Sequence, residues 1–390
     1  MDEKKHLRTI KIKKLKIKDM RKVMSMMAAA AIAVGCSNDS TLDRVNADEI
    51  RFSSNMLATE TRASYTADNF TQFNVTALGN GGTYFSNALV SKGANGWDTD
   101  RSYYWTTYQL TFYGYAPTAL SSQVVLNPTE QTVKDFTPKD KVGEQMDIVA
   151  AYNTGTKDAN AANGVEMKFT HQLAQIEVQA SNEDAATFTI EVLGVKLGRI
   201  PAKSTLTFPT SVGGYGTWST PTDKKSYGIK ASAPKTLDGT MSNIMFGADN
   251  WLMIPQQLTP MAMDANRQDN GGAYIAVLCR ITDMTGNAVY PTVKAGETEQ
   301  KYAYTAVSIS TKWEAGHKYT YKLKFFGAHG GAGSVDPDPT NPQDPTDPDV
   351  DTDPLPGKNP GDPIIDSPIT FNVSIEDWIS GTAEDITIEN

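Results

Sequence analysis

Sulfur and imidazole chemistry are scarce in this 390-residue chain, which has only two cysteines, Cys36 and Cys279, and four histidines. Two cysteines exclude a disulfide scaffold, so stability must come from packing. Cys279 sits inside the apolar run Tyr274-Ile275-Ala276-Val277-Leu278 and reads as a small buried hydrophobe. His6, His171, His317 and His329 are dispersed along the chain, and no HExxH, CxxC, GxSxG or P-loop pattern occurs. His171 reads as a core histidine and His317 as a solvated turn residue. No metal, cofactor or catalytic residue is expected, and the chain is not expected to be an enzyme. The apolar run at 23–34 has twelve residues, against about twenty for a spanning helix. Long amphipathic helical stretches and repeats of fixed period are also missing.

Cations are scarce beyond the first 35 residues. Residues 1–35 hold ten Lys/Arg and three Asp/Glu; the rest holds 26 cations against 42 carboxylates. That acidic body has no basic footprint for nucleic acid. The leading cations, the apolar run and Ala33-Val34-Gly35-Cys36 have the form of an export signal closing on a lipobox-like cysteine. Residues 1–35 are therefore expected to be a lipoprotein signal and Cys36 to carry lipid. Met1 and Met20 both remain open as the start, since Met20 begins a signal of more usual length.

The periodic signals have period two, the mark of strands with one face in a core. Val165, Met167, Phe169 and His171 alternate with polar residues. The parity then shifts to Ala174, Ile176, Val178 and Ala180, which suggests a bulge or corner. Phe188, Ile190 and Val192 alternate next, then Tyr319, Tyr321, Leu323 and Phe325, and finally Ile369, Phe371, Val373 and Ile375. Gly-rich turns such as Asn80-Gly81-Gly82 and Asn163-Gly164 separate such runs. Many short strands with few short helices predict an all-β fold of sandwiches. The aromatic stretch 103–115 reads as a strand, with Leu110 and Phe112 inward and Tyr113 and Tyr115 outward.

Residues 336–363 contain nine Pro and eight Asp, with Lys358 the lone cation. This composition predicts a disordered or polyproline-like tether, able to span roughly 85 Å when extended. Proline at the bends argues against calcium loops. After the tether comes the strand pattern at 369–375, then Trp378 and Ile386-Thr387-Ile388. A strand on a leash must pair with its own domain or with another molecule.

Several segments, in their order and spacing, resemble the fimbrillins, lipoprotein precursors of type V pili. They are Cys36, Glu49-Ile50-Arg51-Phe52, Thr61-Arg62-Ala63, YYW…LTFYGYAP at 103–117 and KFTHQLAQIEV at 168–178. WLMIPQ at 251–256, YIAVLCRI at 274–281, WEAGHKYTYKLKF at 313–325 and ITFNVSIEDW at 369–378 continue the series. The resemblance implies two tandem transthyretin-like Greek-key β-sandwiches. The expected parts are a lipidated propeptide at 36–62, sandwiches at 63–183 and 184–327, a Pro/Asp-rich linker at 328–367 and terminal strands at 368–390.

The resemblance also implies a route of assembly. The precursor is lipidated at Cys36 and held at the outer membrane. An Arg-specific protease cuts between Arg62 and Ala63, with Arg44 and Arg51 as competing sites. The strand carrying Ile50 and Phe52 leaves. A donor strand from another fimbrillin subunit, with Ile369, Phe371, Val373 and Ile375 and a second piece at 386–388, takes its place. Head-to-tail repetition of such a contact gives a filament for cell adhesion, with a host protein or glycan as further partner. The rival expectation is a non-polymerising, glycan-binding surface lipoprotein, with Trp97, Trp105 and Trp218 as its exposed aromatics.

Overall fold

The computed structural model describes residues 48–56, 65–66, 69–94, 96–328, 330–365, 369–378 and 383–387, all in one compact unit spanning 48–390. In chain order the first strands are β1 (Phe52–Met56), β2 (Gln72–Gly79), β3 (Gly82–Gly93), β4 (Gly96–Thr99), β5 (Leu110–Ala116), β6 (Val124–Asn127), β7 (Glu130–Phe136), β8 (Val149–Gly155) and β9 (Val165–His171). The middle of the chain supplies β10 (Ala174–Asn182), β11 (Phe188–Thr207), β12 (Thr217–Trp218), β13 (Thr222–Leu237), β14 (Ser242–Asn243), β15 (Trp251–Met253), β16 (Gln256–Gln257) and β17 (Tyr274–Asp283). The remainder holds β18 (Ala288–Tyr290), β19 (Ala303–Ser308), β20 (Lys312–Trp313), β21 (His317–Phe325), β22 (Ser334–Val335), β23 (Thr370–Asp377) and β24 (Ala383–Thr387). One α-helical turn, α1 (Lys157–Asn160), sits between β8 and β9.

The all-β expectation holds. The first strands close into a barrel in the order β1-β4-β3-β2-β5-β8-β9, with β9 pairing back to β1. Its interior is aromatic: Phe52, Phe70, Phe73, Phe85, Phe112 and Phe169 are all buried there. The β2–β3 hairpin turns through Asn80 and Gly81, both at positive φ, as the Asn-Gly-Gly cluster requires. The second body is a sandwich. One sheet runs β14-β10-β21-β23-β24, and the other runs β22-β19-β17-β11-β7-β6. Ile176, Val178, Ile190, Val192, Tyr319, Tyr321, Leu323, Phe371 and Val373 meet in the core between them.

The parity shift near His171 is a passage between bodies. β9 belongs to the barrel and β10 to the sandwich, so the passage falls at Gln172-Leu173, earlier than the expected division at 183/184. β11 is long enough to serve twice. Its first part pairs with β13 and β17, and its end pairs with β12 and β7.

Two expectations are corrected. Tyr113 and Tyr115 do not face water. They are buried in a further core beneath the barrel wall, where both pack edge-on against Phe208. Alternation had separated the two faces of β5 correctly, but a neighbouring sheet covers the outer one. The linker at 336–363 is not a free tether either. Its Asp and Asn side chains accept bonds from the amide two residues on, as with Asp336 to Asp338, Asn341 to Gln343, Asp347 to Asp349 and Asp351 to Asp353. These Asx turns fold the chain where proline alone would extend it. Lysines of the sandwich then pin the turns: Lys196 meets Asp336 at 2.9 Å with both side chains fully buried, Lys230 meets Asp347 at 2.7 Å and Asp349 at 2.8 Å, and Lys294 meets Asp351. The segment is a strap across the outer face of β17 and β19, where Val350 joins Leu193, Tyr274 and Tyr304.

Candidate functional site

β1 completes the barrel. It runs parallel to β9, with register from Phe52 opposite Val165 to Met56 opposite Phe169, and Phe52 also pairs antiparallel with Trp97 of β4. The chain before it is bonded too. Ile50 N–H donates to the Tyr103 carbonyl at 2.7 Å, Trp105 N–H donates to the Asp48 carbonyl at 2.8 Å, and Lys157 pairs with Asp48. Val165 N–H donates to the Arg51 carbonyl at 2.8 Å. This approach uses the glycine at 164: its φ is +74°, and a Cβ there would lie 2.9 Å from the Arg51 carbonyl oxygen. Ile50 and Phe52 are buried, and the Phe52 ring meets Phe73 and Phe112 edge-on at 6.3 and 5.5 Å. Phe52 thus fills the slot between β4 and β9, and Ile50 joins it in the same barrel core.

The C-terminal strands pair in cis. β23 runs antiparallel to β21, and β24 runs antiparallel to β23 at the sheet edge. Ile369, Phe371 and Val373 are buried in the sandwich core, and Ile375 is half-buried against it. Burial of each large apolar side chain is worth about 1.5–3 kcal/mol, so β23 is an integral strand. Among the described residues β24 pairs with β23 alone, with Ile386 opposite Val373.

Tyr65 and Trp378 meet Asp147 and His171 at a buried polar junction. Asp147 Oδ2 accepts the Tyr65 N–H at 3.0 Å and lies 2.7 Å from His171 Nδ1. The carboxylate can only accept, so Nδ1 carries the proton of that bond. The Asp147 and His171 side chains are 1% and 2% exposed. The imidazole stacks on Trp378, with centroids 4.1 Å apart and planes 7° from parallel. Trp378 is buried, and its backbone N–H donates to the Gly316 carbonyl at 2.7 Å. Burial, and next the Asp147 charge, push the Tyr65 hydroxyl up to about 12. Asp147 Oδ1 and His171 Nε2 are buried without a hydrogen-bond partner among the described residues.

Cys36, Arg62, Ala63, Arg44, His329 and Ile388 lie outside the described residues. His171 is the expected core histidine. His317 is not a freely solvated turn residue: it is half-buried, and Nε2 lies 3.0 Å from Asp377. Burial pushes the Cys279 thiol well up, as expected of an inert core cysteine. Trp97 and Trp105 pack against the barrel core, and Trp218 packs against the core below it, so they form no common exposed platform. Sequence reasoning missed Tyr65 and Asp147. Their contact spans 82 positions and carries no local signal.

A family profile described as fimbrillin-like matches residues 61–336. Among solved structures, a fimbrial protein from Bacteroides vulgatus is 13% identical, with a TM-score of 0.46 over 71% of this chain and 95% of its own. A protein from Parabacteroides distasonis, described as a candidate cell adhesion protein, is 10% identical, with a TM-score of 0.48 over 86% of this chain and 99% of its own. Another so described, from Bacteroides uniformis, is 14% identical, with a TM-score of 0.42 over 86% of this chain and 100% of its own. No curated protein matches the chain.

Proposed function

The chain belongs to the fimbrillin-like family, and from that premise we propose that it is the lipidated precursor of a cell-surface fimbrial subunit that assembles by strand exchange. Cys36 carries the lipid and holds the precursor at the outer membrane. An Arg-specific protease hydrolyses the Arg62–Ala63 bond, and β1 leaves. The carrying observation is that, among the described residues, β1 alone links β4 to β9, while Phe52 on it and Ile50 just before it fill the barrel. Its departure exposes two unpaired strand edges and an aromatic trench that includes Phe73 and Phe112. An incoming strand with alternating apolar residues satisfies both.

The incoming strand comes from the C-terminal hairpin of a second subunit. Within that hairpin β24 is the better placed donor. Lifting it breaks one ladder, whereas lifting β23 withdraws Ile369, Phe371 and Val373 from their own core. The buried Ile369, Phe371 and Val373 keep β23 at home while β24 exchanges.

The test is cleavage of purified precursor with an arginine-specific protease. N-terminal identification and detergent-resistant laddering are read together. A new end at Ala63 with a ladder supports the proposal. A ladder from uncut precursor, or a cut chain that stays monomeric with β1 gone, would overturn strand exchange.

A further inference from the structure

We propose that Asp147 is the receptor for the α-ammonium that cleavage creates at Ala63. This rests on the cut proposed above and goes beyond it, because it assigns a binding site to the new chain end. Hydrolysis adds water across the Arg62–Ala63 amide and leaves a carboxylate on Arg62 and an ammonium on Ala63. That ammonium is two residues from Tyr65, whose N–H already donates to Asp147 Oδ2 at 3.0 Å. Two residues of chain span at most about 7 Å. Nitrogens close together along a chain can converge on one anion. The partner oxygen is waiting. Asp147 Oδ1 is buried and has no hydrogen-bond partner among the described residues, a state that buried carboxylate oxygens rarely keep. Before the cut the nitrogen of Ala63 is an amide with one proton and no charge. After it the nitrogen has three protons and a full charge, and a charge-assisted bond replaces a vacant lone pair.

The site also has a second outlet. Asp147 Oδ2 is shared with His171 Nδ1, and the imidazole lies flat on Trp378 at the root of the β23–β24 hairpin. A cation arriving at Asp147 competes with His171 for the same carboxylate. Processing at one end of the chain is thereby felt where the C-terminal hairpin is anchored.

The experiment is amine labelling of the cut protein. Precursor made without the lipidated Cys36 is cleaved, and acylation of the Ala63 amine by acetic anhydride at neutral pH is followed by mass spectrometry. The rate in the folded chain is expected to be at least tenfold below that in urea. Inserting one glycine between Arg62 and Ala63 moves the ammonium out of register without touching the core, and D147N removes the receptor charge. Both are expected to restore fast labelling. An Ala63 amine that labels equally fast folded and unfolded overturns the proposal. So does protection that survives both changes. Absence of any cut after Arg62 would count against the processing site instead. The labelling is then read on a chain whose residues 58–62 are replaced by another protease's recognition sequence ending just before Ala63.

Discussion

Single residues set how tightly β1 is held. At Gly164 the backbone adopts a φ that L-residues rarely occupy, and the Arg51 carbonyl leaves no room for a methyl group. G164A is expected to cost roughly 1–3 kcal/mol through backbone strain, concentrated on β1 docking. Faster hydrogen exchange at residues 52–56 with little change in β21 would show it; a uniform change would not fit. Lys196 is a second such residue. It is fully buried, pairs with Asp336 and stands 4.0 Å over the Tyr304 ring. K196M leaves a buried carboxylate alone and is expected to destabilise the fold by about 3–5 kcal/mol. The double change K196M/D336L should recover most of that loss in urea unfolding, because two apolar groups leave no orphan charge.

At the scale of elements, the strap makes a pH prediction. Burial alone would raise the Asp347 carboxyl, but bonds from Lys230 and Asn341 outweigh it and hold it below its ordinary value. The Asn359 N–H and then Arg267 do the same for Asp362. Depressed carboxyls contribute stability above the ordinary value near 4 and lose it as pH falls through their folded values. Hydrogen bonding to Asp351 raises Lys294; burial opposes a rise at Lys230, but Asp347 and Asp349 outweigh it. Those contributions are full below about pH 10 and fade as pH rises through the raised values. Asp336 runs the other way, because burial first of all raises its carboxyl, so it gives no help to acid release. The strap should loosen in strong acid before the barrel does, with pepsin at pH 2 cutting within 336–363 and sparing 110–116. The C-terminal strands predict differently from each other. Removing residues 379–390 should leave a folded chain and abolish laddering, whereas removing 364–390 takes β23 from the core and should unfold the sandwich. Alternation made β9, β21 and β23 legible from sequence, because a half-buried strand writes its burial into every second residue. The strap was not legible. Composition reports how little apolar surface the segment has, while its hold comes from Lys196, Lys230 and Lys294, more than fifty residues away in each case. The Asp147 junction was hidden for the same reason, since its contacts are single, polar and long-range.

The whole molecule is two bodies joined through a shared core. Trp378 directly follows sandwich strand β23 but is buried among Tyr115, Leu173, Leu252 and their neighbours beneath the barrel. W378A is expected to cost about 3–5 kcal/mol and to weaken the joint more than either body. Calorimetry should then resolve two transitions where the unaltered chain gives one. A single transition at lower temperature would mean that the joint does not depend on this side chain. The slot has a direction as well as a shape. β1 is parallel to β9 and antiparallel to β4, so a strand that replaces it in register must enter with the same sense. Under the proposed exchange each subunit would receive its neighbour in a fixed orientation, and the next would be fixed in turn. A fibre built on that rule has unlike ends, one presenting an empty slot and the other an unspent strand. Addition at the two tips is chemically distinct, so a chain with no strand to give stops growth at one of them only.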